Sequence, residues 1–379
     1  MTDAQLADLS RVLYSPVTLA LYTAAAIALL AALSRTVGGE VARGGALRRL
    51  GRVLAAAGIA AHVAHEVVRG LAQDRLPLGN MFEVTSLMAL VGVAGGLWYL
   101  RTRRRPELEG FVLLGGTLLL GLALLMYAEP GPLMPILTTW WRTFHVSLLV
   151  GGMGVFAAGF LFTALYLLRV RIDGLDADAG EHRGTSPADA TVPEGGPVDG
   201  GGAAVAVRSA PDVAALRRRI PAGRLAAGVF LGASTVSWVW AVALEPLSTG
   251  LARMLTVNVA LVAAALLARW FAPHLPDAEV LDGIAHRTVA FGFVLWTVGT
   301  IAGAMWAEQS WGRFWGWDPK ETGAFLTWVA YAGYLHGRAT RGFRGERAAW
   351  IGVGAFVTLM ATYLVANYVI VGLHSYAGL

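Results

Sequence analysis

Runs of predominantly apolar residues recur along the chain near 14–34, 50–70, 82–100, 110–128, 143–168, 223–243, 251–271, 287–306, 323–338 and 349–372. About 20 apolar residues suffice for a helix to cross a hydrocarbon core of about 30 Å. In lipid every backbone polar group must bond within its own segment, so each run predicts a helix. The pattern is that of an all-α polytopic integral membrane protein with about ten transmembrane helices. The first run follows acidic rather than basic residues and lacks a small-residue cleavage site. It is therefore read as a retained span, not a signal peptide.

The polar stretches between runs are unequal in charge. Those at 35–52, 101–109, 169–224, 269–287 and 338–347 hold 23 of the 30 Lys and Arg residues. Basic loops stay on the inner side. The bias predicts a multi-pass protein of the cell (plasma) membrane with both termini outside, together with 128–145, 306–322 and 372–379. Residues 172–212 are rich in Gly, Ala, Pro and Asp and contain no aromatic residue. Such a stretch buries too little apolar area to offset its ordering entropy, and it reads as a disordered linker on the inner side. Four regions follow: 1–170 with helices one to five, a disordered and basic linker at 171–222, a further helix pair at 223–271, and 272–379 with helices eight to ten.

Composition agrees: 56% of residues are hydrophobic and 15% charged, against roughly a quarter charged in soluble domains. There is no cysteine, which excludes disulfides, thiolate metal sites and cysteine nucleophiles. The pI near 9.7 does not point to nucleic acid, because the basic residues are spread through short loops as topology signals.

The candidate chemistry lies in "WGRFWGWDPKE" at 311–321. Tryptophan commonly anchors a span at the membrane interface. Here Trp306, Trp311, Trp315 and Trp317 crowd together with glycines between the last three, which admits a flat, large apolar ligand close to the backbone. Trp311 and Trp315, four apart, share one face if the segment is helical. Asp318, Lys320 and Glu321 close the stretch, and Lys320 is the only lysine of the chain. Among eight histidines, His145 opens the fifth run and His374 closes the tenth, both on the outer side. Two imidazoles at one membrane depth beside an aromatic slab suit a bis-histidine haem site. His336 lies near the inner end of the ninth run. His62 and His65, three apart, are open to metal binding or to packing and hydrogen bonding. Asn80 and Glu83 in "PLGNMFE" are open to a ligand contact or to helix capping.

"WGRFWGWDPKET" followed by "FLTWVAYAGYLHGR" resembles the tryptophan-rich WWD signature of haem-handling proteins, and within them the CcsA/ResC type (CcsB in actinobacteria) of System II cytochrome c maturation. "LPLGNMFEVTSL", "FHVSLLVGG", "GFVLWTVGTIAGAMWA" and "VGLHSYA" extend the likeness over roughly 75–170 and 280–379. The resemblance implies transport of haem b, as cargo, to the outer face and its presentation to the Cys-x-x-Cys-His motif of an apocytochrome c. It implies His145 and His374 as ligands of the external haem iron, Trp311, Trp315, Trp317 and Asp318 as its platform, and His336 as a ligand within the membrane. It also implies a ResB-type partner, thiol-reducing thioredoxin-like proteins and a share in a haem lyase, or holocytochrome c synthase. The alternative is a haem transporter or chaperone without ligase activity. The family core has about eight spans, so the pair at 223–271 and the linker before it fall outside the matching motifs.

Overall fold

The computed structural model describes residues 1–133, 137–183, 220–243, 246–370 and 372–374, with the side chains of Val37 and of 173–183 outside that description. All regular structure among the described residues is helical. Helix α1 (Asp3–Val12) passes through a π-turn (Leu13–Thr18) into α2 (Leu19–Val37). Pro16 lies in that turn; lacking an N–H, it cannot join an ordinary helical ladder. Then follow α3 (Val41–Ala72), α4 (Met81–Thr102), α5 (Glu109–Leu125), α6 (Trp140–Arg183), α7 (Ala222–Ala243), α8 (Leu247–Phe271), α9 (Ala278–Trp311), α10 (Pro319–Thr340) and α11 (Glu346–Tyr368). The linker expected from the sequence lies outside the described residues from 184 to 219, while 171–183 continue α6.

Each of the ten apolar runs falls on one helical rod, with α1 and α2 forming a single rod. Eight of the rods are long and apolar enough to cross a membrane. The runs at 50–70 and 323–338, on α3 and α10, form helices of lower hydropathy. In α3 the reason is visible, since its buried face carries His62, His65, Glu66 and Arg69. These groups are bonded inside the bundle. Tyr22 Oη and Ser86 Oγ lie 3.2 and 3.0 Å from the two ring nitrogens of His62, and His65 Nδ1 lies 2.9 Å from the Ser10 carbonyl. Both ring nitrogens of His62 are thus engaged, whereas His65 is held through Nδ1 alone and its buried Nε2 has no hydrogen-bond partner among the described residues.

One core joins α2, α4, α5 and α6 around Tyr22, Leu97, Phe111 and Phe162. A second joins α6, α9, α10 and α11 around Phe156, Trp296, Tyr331 and Leu359, with the Phe156 and Tyr331 rings stacked at 3.7 Å. Small residues let α6 and α9 approach closely: a Cβ on Gly152 would come within 3.3 Å of the Trp296 backbone, and one on Gly299 within 2.8 Å of Leu149. Such seams are how helices associate where lipid removes the hydrophobic drive between them. Helices α7 and α8 pair at the periphery, with Leu231, Val242, Leu255 and Val259 exposed. A buried Ser237–Asn258–Ser234 relay, at 2.9 and 2.7 Å, joins them.

Candidate functional site

The site is assembled from the first turn of α6, the last turns of α9, the irregular segment 312–317, the start of α10 and the residues after α11. Helix α9 ends at Trp311 because Gly312 adopts φ +67° and donates its N–H to the Glu308 carbonyl at 2.8 Å, a left-handed helix cap. The helical relation expected between Trp311 and Trp315 therefore fails: glycine stops the helix between them.

The "DPKE" stretch is the start of α10. Asp318 caps it, accepting from Lys320 N, while Glu321 accepts from Asp318 N at 3.2 Å. This is a reciprocal capping box with proline at the first helical position. Glu321 also holds the preceding segment, accepting from Gly316 N at 2.7 Å and from Arg313 at 3.3 Å. Trp317, just before the cap, has φ +58° and is 66% exposed. A bulky side chain in the left-handed region is costly, by about 1–3 kcal/mol.

His145 and His374, 229 positions apart in the chain, meet the same ring. His145 lies nearly parallel to Trp306 at 6.2 Å, and His374 stands edge-on to Trp306 at 5.4 Å and to Trp311 at 4.7 Å. Each turns Nδ1 into the protein: His145 donates to the Gly299 carbonyl at 2.7 Å and His374 to Asp318 Oδ2 at 2.6 Å. Those acceptors set the tautomer in which Nε2 carries the lone pair, which is the form of a metal-ligating imidazole. Gly303 makes room for His145, since a Cβ there would come within 2.6 Å of its ring. Asp318 Oδ1 also accepts from Leu373 N at 2.6 Å, and Lys320 Nζ donates to the His374 carbonyl at 3.1 Å. The segment after α11 is thereby pinned to the start of α10. Burial lowers the pKa of His374 below its ordinary 6.5, and the opposing pull of Asp318 does not overcome it.

Of the residues singled out from the sequence, His145, His374, Trp311 and Asp318 come together. Trp315 and Trp317 form a second aromatic group with Phe325, at centroid distances of 5.8–6.4 Å. His336 is exposed on α10, far along the helix from its cap. Asn80 caps α4 by accepting from Glu83 N at 3.0 Å. The fully buried Glu83 is engaged by Arg69 at 2.9 Å, Arg75 at 3.0 Å and Gly79 N at 2.6 Å. The capping alternative thus describes this pair. Sequence reasoning missed Gly299 and Gly303, whose signal was a small-residue spacing along α9, and the central place of Trp306.

Residues 78–374 match the family model described as cytochrome C assembly protein. The chain is similar to a cytochrome c biogenesis protein CcsA of Gloeobacter violaceus, 33% identical over 249 residues, which are 66% of this chain and 62% of that protein. It is 50% identical over 101 residues to a CcsA of Guillardia theta, and 48% identical over 99 residues to one of a Synechococcus species. These cover 27% and 26% of this chain and 34% and 32% of the relatives. In each case the aligned stretch spans less than two thirds of the relative's length.

Proposed function

The chain belongs to the family of cytochrome c assembly proteins, and from that premise we propose that it carries haem b across the cell membrane and presents it for covalent attachment to apocytochrome c. His145 and His374 hold the iron at the outer face through Nε2. The observation that carries this reading is their convergence on Trp306 with both Nδ1 atoms tied back into the protein. Two soft, neutral nitrogen donors beside tryptophan suit a low-spin porphyrin iron.

Trp311 lines the place where one porphyrin face rests, with the buried Trp306 backing the two imidazoles. Burial against the exposed part of the platform is worth several kcal/mol at about 25 cal/mol per Å². Trp315 and Trp317 form the outer margin of that platform. Asp318 positions His374 and keeps its ring from turning. Both termini and the tryptophan-rich segment face outward in this reading, as the Lys and Arg bias favours. His336, exposed on α10, is turned toward a ResB-type subunit that supplies the second histidine of an inner haem site.

The protein's part in the chemistry is mostly positioning. An apocytochrome histidine displaces one axial imidazole. Each of its cysteine S–H groups then adds across one vinyl group, sulfur to one carbon and hydrogen to the other. No electron is exchanged with the protein, and thioredoxin-like proteins keep the two thiols reduced.

The test is an absorption spectrum of the detergent-purified full chain, alone and with a ResB-type partner. A reduced low-spin haem b spectrum, abolished by His145→Gly or His374→Gly and restored by added imidazole, is expected. A colourless protein, or unimpaired cytochrome c maturation by the double variant, overturns the reading. Haem bound but never attached, with a full set of reduced apocytochrome, assigns the chain to transport without ligation.

A further inference from the structure

At the end of the bundle opposite His145 and His374, a cleft of about 330 Å³ opens between α3, α4 and the turn before α5, lined by Arg52, Arg101, Arg104, Arg105, Pro106 and Glu109. Its volume falls at the lower end of the range for small-molecule sites. Helix α4 has 22 residues and joins the two ends. At 1.5 Å per residue it holds them about 33 Å apart, close to one membrane thickness. The cleft therefore sits at headgroup depth in the other leaflet.

The charges are arranged rather than scattered. Glu109 is fully buried and takes Arg52 in a two-pronged bond, both contacts at 2.9 Å, with Arg101 at 3.8 Å. Arg105 lies 3.6 Å from Glu107. Four guanidinium groups thus face two carboxylates, leaving two positive charges in excess. The Arg104 side chain makes no hydrogen bond or ion pair with a described residue, and its backbone is left-handed at φ +55°. Its guanidinium stays exposed at the cleft. Below the cleft the helix surfaces are apolar and uncovered: Val53 follows Arg52 on α3, and Trp98, one turn before Arg101 on α4, is 68% exposed. An anion held by the arginines would have its apolar tail against Trp98 and Val53.

We propose that this cleft binds the phosphate headgroup of an anionic phospholipid. Glu109 fixes Arg52 through its two-pronged bond, with Arg101 beside the pair, Arg104 supplies the open charge, and the acyl chains lie along α3 and α4. Basic pockets between helices at the inner face are a recurring mode of anionic headgroup recognition.

Native mass spectrometry of the full chain, with phosphatidylglycerol, cardiolipin, phosphatidylcholine or inorganic phosphate added in turn, tests this. Wild type is expected to retain the two anionic lipids over phosphatidylcholine. Arg104→Gln should weaken retention about fivefold, and Arg101→Gln with Arg104→Gln about 25-fold. The matching Lys variants should retain most of the binding. Arg103→Gln, whose guanidinium lies over Tyr99 at 5.5 Å and outside the cleft, should leave it unchanged. If the double variant does not fold, Arg104→Gln carries the test alone, since that side chain holds nothing in place. Equal retention by wild type and variants, or equal retention of phosphatidylcholine, overturns the proposal. Inorganic phosphate bound with the same arginine dependence, and without lipid retention, overturns the lipid as its source.

Discussion

Asp318 Oδ2 lies 2.6 Å from Nδ1 of His374, while the same carboxylate caps α10 and accepts from the Leu373 N–H. One side chain thus starts a helix and orients an imidazole 56 residues later. Asparagine caps helices about as well as aspartate, and an amide oxygen in the place of Oδ2 can still take both the Lys320 N–H and the His374 ring, so Asp318→Asn isolates the loss of negative charge behind the imidazole. Haem affinity should fall about 10–100-fold, the usual cost of losing such a carboxylate partner, with the melting temperature nearly unchanged. Asp318→Ala should lose the same affinity and, in addition, about 1 kcal/mol of stability. Haem titration beside thermal unfolding distinguishes the two.

Gly303→Ala should show the opposite split. Alanine favours a helix over glycine by about 0.8–1.0 kcal/mol, so helical content should hold. The added Cβ would stand 2.6 Å from the His145 ring, pushing the imidazole from its place. Loss of the haem spectrum with unchanged far-ultraviolet dichroism is expected. Retained haem would mean that His145 has freedom to move that the packing does not reveal.

The titration of His374 gives a third measurement, on haem-free protein. Burial puts its folded pKa below 6.5. A base whose pKa is depressed by folding stays neutral in the folded protein down to that lower value, and the associated stability is lost as pH falls from the unfolded pKa near 6.5 to the folded pKa. Trp306 and Trp311 stand beside the ring, so their emission should report imidazolium formation with a midpoint below 6.5. Asp318→Asn removes a contribution that raises the pKa and should shift the midpoint lower still. A midpoint at or above 6.5 contradicts this account.

Trp317→Gly should stabilise the protein by about 1 kcal/mol, because glycine takes φ +58° without strain. The same change should weaken haem retention if the exposed ring forms part of the platform. A variant neutral in both respects would show that the backbone is not strained there.

Glu83→Gln should be the most damaging of these changes to the fold. It leaves Arg69 and Arg75 facing a neutral group where a buried carboxylate stood. Breaking such a buried pair costs about 3–5 kcal/mol, and the thermal midpoint in detergent reads it directly.

The helices were legible from hydropathy because lipid leaves the backbone little alternative. His145 and His374 stood out as a pair because both fall at the ends of apolar runs on the same side of the Lys and Arg bias, and the fold brings both against Trp306. What stayed hidden was relational. The spacing of Trp311 and Trp315 implies a shared helical face only while the helix continues, and Gly312 ends it. Lys320, the only lysine of the chain, stands out in the sequence without a visible partner, and the fold places its ammonium on the His374 carbonyl. Asn80 and Glu83 resemble ligand-binding polar groups until Arg69 and Arg75, distant or loop residues, are found to take up the carboxylate. His62 and His65 resemble a metal pair until Tyr22, Ser86 and Ser10 are found against them.

His145 leans on the carbonyl of Gly299 and occupies the space beside Gly303. Neither residue offers a functional group of its own. One provides main chain that every residue has, and the other provides room by having no side chain. Half of the mould that orients this imidazole is therefore cast in hydrogen atoms. Substitutions that erase it would look conservative by every chemical measure except size.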